Sequence, residues 1–139
     1  PTTMLDAMRA VLRDALASDP RVSLYGEDIE DPKGDVFGLT RGLSSAFPSR
    51  VKNSPLSEST IVGVSIGRAL AGGRPIAFVQ FADFLPLAFN QIASELASLA
   101  WRTNGTWTAL FTVLVSPVPV VITYHGSDLN RTPNDGSII

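Results

Sequence analysis

The chain has 139 residues, 45% of them hydrophobic and 17% charged, with a formal net charge of -2; this is enough for one domain with a core and too little for two ordinary ones. The mild acidity excludes a basic, polyanion-seeking protein, so nucleic acid is not an expected partner. With no cysteine and a single histidine, His125, the sequence excludes disulfide frameworks, thiolate nucleophiles and paired-histidine metal sites, and no metal ligands are assigned.

The first element is a helix. In "TTMLDAMRAVLRDALASDP" the residues Leu5, Met8, Leu12 and Leu16 recur at helical spacing, Thr3 and Asp6 form a capping pair, and Pro20 stops the run. A short β-rich stretch, Val22 to Tyr25, then feeds Gly26 and two acids. From Ile29 to Ser54 the pattern is mixed: a polar turn at "EDPKGD", a short helical patch in "GLTRGLSSAF", and an extended piece at Arg50 to Lys52. "SESTIVGVSIGRALAGGRP" reads as a helix of small and β-branched residues closed by Gly72-Gly73, and "PIAFVQF" as a strand covered on both faces. A second long helix is expected over "LPLAFNQIASELASLAWRTNG", with Leu87, Ile92, Leu96 and Leu99 apolar and Asn104-Gly105 as its end. "LFTVLVSPVPVVITY" offers one or two strands broken at Ser116-Pro117.

This order predicts an α/β fold: an open, mostly parallel sheet with helices on both faces, in a single domain over 1–139. Ligands of such sheets lie beyond the carboxyl ends of the strands, which singles out Glu27 and Asp28 after the first strand and Asp83 and Phe84 after "AFVQF". The start "PTTMLDAMRA" lacks signal-peptide order and no apolar run reaches about 18 residues, so a soluble cytoplasmic protein without a membrane partner is expected. The mean hydropathy of +0.20 is high for a lone domain and suggests apolar surface kept for a partner.

Two chemical readings compete within "PLSESTIVGVSIG". Gly63 to Gly67 spells G-x-S-x-G, but a nucleophile elbow needs a strand running into the turn, and here the motif follows helical spacing. Gly63, Ser65 and Gly67 read instead as small residues that let the helix approach a neighbour. Glu58 opens that helix; a first-turn carboxylate at the positive helix end and a catalytic acid are both open from pattern alone. Glu27 and Asp28 could be ordinary loop acids, and Phe84 could be core. Asn104-Gly105-Thr106 and Asn130-Arg131-Thr132 match the glycosylation sequon as chance occurrences, and His125 receives no role.

Taken together, Gly26-Glu27-Asp28, Pro55-Leu56-Ser57-Glu58, the helix through "GRALAGGRP", and "FADFLPLAFNQI" resemble the transketolase-like pyrimidine-binding domain in the beta subunit of thiamine diphosphate-dependent 2-oxo acid dehydrogenases (pyruvate or branched-chain). The resemblance is strongest over 22–107, and 108–139 diverges. It implies that Glu58 bonds the aminopyrimidine ring nitrogen of the cofactor and favours its imino tautomer, so that the thiazolium carbon can lose its proton. Carboxyls in a dry interface hold or share protons readily, which suits this exchange. It also implies that Glu27 joins paired active sites through a polar network, and that Phe84 packs against the aminopyrimidine ring. The diphosphate and magnesium are expected on an alpha subunit in a heterotetrameric enzyme, and the acyl group on a lipoyl-bearing acyltransferase. "VPVVI" at 118–122 resembles the next family strand with "ALFTVLVSP" intruding before it, and the ending lacks the family's remaining motifs, so the domain is expected to be truncated and prone to homo-association. A catalytically inactive remnant that pairs or regulates is the alternative to an enzyme.

Overall fold

The computed structural model describes residues 2–115 and 120–125. Helix α1 (Met4–Ser18) starts as its sequence requires: the Thr3 hydroxyl accepts the Asp6 backbone N–H at 3.1 Å and donates to the Asp6 carboxylate at 2.6 Å. The first of these bonds satisfies a backbone N–H that the first helical turn leaves open. Strand β1 (Val22–Gly26) follows, then a long loop, the short helix α2 (Leu43–Ala46), and strand β2 (Val51–Asn53). Helix α3 (Glu58–Leu70) is capped by the Ser57 hydroxyl and closed by Gly72, whose φ of 88° is open only to a residue without Cβ strain. Strand β3 (Arg74–Val79) completes the crossover through α3.

The sheet has the order β2-β1-β3-β4-β5, where β4 is Leu110–Val115 and β5 is Val120–His125. The first four strands in this order are parallel, and β5 is antiparallel to β4. The expected mostly parallel sheet is therefore present. The place beside β3 belongs to Leu110–Val115, the stretch read as an intrusion, while Val120–His125 forms the edge. The Ser116-Pro117 break and residues 126–139, including the Asn130 sequon, lie outside the described residues.

Period-two alternation along β3 divides the core between the two faces. Phe78 joins Leu12 and Leu16 of α1, Leu24, and the loop residues Ile29 and Leu39. Ala77 and Val79 join Ile61, Val62 and Ile66 of α3 with Leu96 and Leu99. Helices thus cover both faces, as expected.

The long helix expected from Leu85 onward is not continuous. Ala82–Ala88 is a 3₁₀ helix containing Pro86, Asn90–Leu96 is π-helical, and only Ala97–Arg102 (α4) is α-helical. Proline has no N–H to donate, and the wider π turns change the helical phase. Leu96 and Leu99 consequently reach the core, while Leu87, expected to be an inward position, is exposed. Asn104 and Gly105 end α4 with positive φ, as their residue types favour.

Candidate functional site

Gly26, at the carboxyl end of β1, lies so close to β3 that a Cβ there would stand 2.5 Å from the Phe78 carbonyl oxygen. This approach brings the next residue, Glu27, to the end of β3. Gln80, just beyond Val79, donates from Nε2 to the Glu27 backbone oxygen at 2.6 Å. Only the amide nitrogen can serve a carbonyl, so this bond fixes which end of the amide faces away. The Gln80 Oε1 is buried without a hydrogen-bond partner, and the residue is 5% exposed. An acceptor in that condition costs free energy unless something supplies a donor.

Between the ends of β1 and β3, the start of α3 and the 3₁₀ helix lies a half-open cavity of about 350 Å³. Glu27, Glu58, Gln80, Phe81 and Phe84 line it, with Asp28 and Lys33 also at its wall. All three site residues anticipated from the sequence are therefore brought together, although Glu27 and Glu58 are 31 positions apart in the chain. Asp83 is exposed and is not one of the lining residues. Sequence reasoning missed Gln80, Lys33 and Phe81; a polar Gln80 ending the apolar run "IAFV" was the available signal for the first.

Glu58 is the first residue of α3, where a carboxylate meets the positive end of the helix. An ordinary first-turn acid sits in water, but Glu58 is 7% exposed. Among the described residues its carboxyl makes no hydrogen bond or ion pair. Phe84 is 40% exposed, which removes it from the core.

The charges are unbalanced. Glu27, Asp28 and Glu58 face one cation, Lys33, which is already paired with Asp28. Burial first, then the charges of Asp28 and Glu58, push the Glu27 carboxyl above its ordinary value of 4.5, with Lys33 opposing them. The folded chain thus holds that proton more tightly than the unfolded chain does. Glu27 contributes stability that is full below about pH 4.5 and is lost as pH rises through its folded value. Glu27→Gln removes the titration, so its urea midpoint is expected to gain on the native one between about pH 4 and pH 7. A difference between the two that stays constant across this interval would contradict the repulsion.

Ser65 lies inside α3, fully buried, with its Oγ unpartnered. It occupies no strand-to-helix turn, so it is not an elbow nucleophile. The flanking glycines do not mark tight packing: a Cβ at Gly63 would meet Gln91 at 3.8 Å, and one at Gly67 would meet nothing within 4 Å. The expectation that this small-residue stretch lets a neighbour approach closely is therefore not met within the chain. Ser65→Ala removes an unsatisfied hydroxyl and is expected to leave the melting temperature unchanged or raise it slightly. A loss above about 1 kcal/mol would mean that the hydroxyl has a partner.

A second cavity, of about 340 Å³ between α1 and the sheet, is lined by Met4, Met8, Val11, Ile76, Leu114 and other uncharged residues. It offers no group for acid-base chemistry.

Residues 1–110 match the family described as transketolase, pyrimidine binding domain. The chain belongs to this family. This pyrimidine-binding domain is 46% identical over 105 residues to the 2-oxoisovalerate dehydrogenase subunit beta of Bacillus subtilis, covering 75% of the chain and 32% of that protein. It is 47% identical over 103 residues to the pyruvate dehydrogenase E1 component subunit beta of Leifsonia xyli, covering 73% and 30%. It is 42% identical over 104 residues to the 3-methyl-2-oxobutanoate dehydrogenase subunit beta of Mycobacterium tuberculosis, covering 74% and 30%. The pyrimidine-binding domain thus spans about a third of the length of these curated relatives. The resemblance to oxo acid dehydrogenase beta subunits is borne out by the names of all three. No helix among the described residues is long and apolar enough to cross a membrane.

Proposed function

We propose that this chain is the aminopyrimidine-binding part of a thiamine diphosphate-dependent 2-oxo acid dehydrogenase, with Glu58 as its catalytic acid. The observation that carries the reading is the Glu58 side chain at the start of α3, 7% exposed and without a hydrogen-bond or ion-pair partner among the described residues, sharing one cavity with Glu27 and Phe84. The cavity suits one end of that cofactor. An aminopyrimidine offers ring nitrogens to a carboxyl and a flat face to Phe84. It does not suit the other end. Three carboxylates against one paired lysine would repel a diphosphate, which supports placing the diphosphate and magnesium on an alpha partner.

When bound, the cofactor supplies the electron sink for decarboxylation of a 2-oxo acid. Glu58 would hold the aminopyrimidine ring nitrogen and would supply the carboxyl with which that nitrogen exchanges a proton. Phe84 holds the ring in place, and Glu27, with its raised proton affinity, links the site to a second one through polar contacts. Leu56, Leu87 and Phe89 expose apolar side chains near the cavity mouth or on the adjoining helix, a surface suited to the alpha partner or to a second copy of the chain. The acyl group would pass to a lipoyl-bearing acyltransferase.

Mixing the chain with an alpha subunit of this enzyme class and assaying decarboxylation of pyruvate and a branched-chain 2-oxo acid tests the reading. Thiamine diphosphate-dependent turnover that requires both chains is expected. Stable pairing without turnover would instead make the chain a pairing or regulatory domain.

A further inference from the structure

The ring that packs the aminopyrimidine in this reading, Phe84, sits at the open end of the sheet on a 3₁₀ helix. What fixes its direction is a chain of edge contacts. The Phe81 ring meets Phe84 with centroids 5.5 Å apart at 80°, and Phe37 meets Phe81 at 5.8 Å and 76°. Edge-to-face pairs are directional, because the positive ring edge is drawn to the negative face of its neighbour. Phe37 does not line the cavity; it stands behind Phe81, which does.

Phe37 is 42% exposed, and an exposed loop ring would ordinarily sample several orientations. Its backbone, however, is tied on both sides. The Asp35 carboxylate, 2% exposed, accepts the backbone N–H of Phe37 at 2.7 Å and of Leu39 at 2.9 Å. The Asp35 N–H donates to the Asp28 carbonyl at 2.8 Å, which anchors the loop beside the cavity. From α1, Arg9 donates to the carbonyls of Leu39 at 3.1 Å and Gly38 at 2.5 Å. The Thr40 hydroxyl donates to the Ile29 carbonyl at 2.9 Å. These bonds hold the loop backbone around Phe37, and the edge contact with Phe81 is what its ring meets.

We propose that Phe37 is a positioning residue: held by the Asp35-centred loop, it sets the orientation of Phe84 through Phe81 and thereby the stacking of an aminopyrimidine in the cavity. This rests on the reading of the cavity given above. It predicts a residue that touches neither substrate nor cofactor and yet tunes affinity for the pyrimidine ring.

The test uses the full chain with 4-amino-5-hydroxymethyl-2-methylpyrimidine as probe, followed by proton NMR. Stacking on Phe84 shifts the probe's methyl and ring protons upfield, a signal that does not respond to fold stability alone. Phe84→Ala is expected to abolish the shift. Phe37→Ala is expected to reduce the shift and weaken binding about two- to tenfold, at an unchanged melting temperature. Phe37→Tyr should restore both, whereas Phe37→Leu, which keeps apolar bulk without an aromatic edge, should not. Native-like binding and shift in Phe37→Ala, with loss of both in Phe84→Ala, would overturn the proposal alone. Full rescue by Phe37→Leu would do the same. No shift with the native chain, or an unchanged one in Phe84→Ala, would remove the cavity reading and the proposal with it.

Discussion

Glu58→Gln is expected to abolish thiamine diphosphate-dependent decarboxylation while leaving assembly with the alpha partner intact. The amide keeps the size of the side chain and its place in the first turn of α3, so the core beneath it, built from Ile61, Val62 and Ile66, is undisturbed. What it lacks is a proton that can be taken up and released at the ring nitrogen. Positioned proton transfer typically contributes 10²- to 10⁴-fold, so a fall of at least about 100-fold is expected in single-turnover decarboxylation. The melting temperature should stay close to the native one, because the amide keeps the packing of the side chain and no partner is lost. Full activity in this variant would remove Glu58 from the chemistry. Lost activity together with lost assembly would make it a structural residue.

Phe78→Ala is expected to have the largest effect on stability. Phe78 is fully buried on the α1 face of β3, joined there by Leu16 and Leu24, and its backbone meets Gly26 of β1. Truncating a buried phenylalanine leaves a cavity that packed neighbours fill only in part, at a cost of about 3–5 kcal/mol. Against a typical total of about 5–15 kcal/mol for a domain, that brings the fold close to its limit. The close approach of β1 to β3 is to the residue 78 backbone and Cβ, which alanine keeps, so the loss is one of packing against α1 and not of the Gly26 approach. Urea unfolding measures it, and a change under about 1.5 kcal/mol would show that the two-faced core is wrongly described.

The elements most legible in the sequence were those with local chemistry of their own. Thr3 and Asp6, Ser57, Gly72 and Gly105 mark helix ends through hydroxyl acceptors or positive φ, and the structure uses each in that way. The mostly parallel character of the sheet followed from alternating β and α patterns because parallel strands need crossovers. The break in the helix after Phe84 was harder to see. Pro86 signals a disturbed turn, but nothing local announces a π-helical stretch over Asn90–Leu96, whose altered phase is settled by packing of Leu96 and Leu99. The candidate site divided similarly. Glu27, Glu58 and Phe84 were reached through the family resemblance and the strand-end rule, whereas the burial of Glu58 depends on contacts between distant segments. Gln80 is distinguished by a bond to the backbone of residue 27, across 53 positions, and pattern alone carries no trace of it.

The most direct measurement is a crystal structure of the chain assembled with its alpha partner and thiamine diphosphate. The account predicts the aminopyrimidine in the cavity between β1, β3 and α3, with a Glu58 carboxyl oxygen within about 3 Å of a ring nitrogen and Phe84 packed on the ring face. An aminopyrimidine bound elsewhere, or a Glu58 carboxyl turned away from it, would contradict the account.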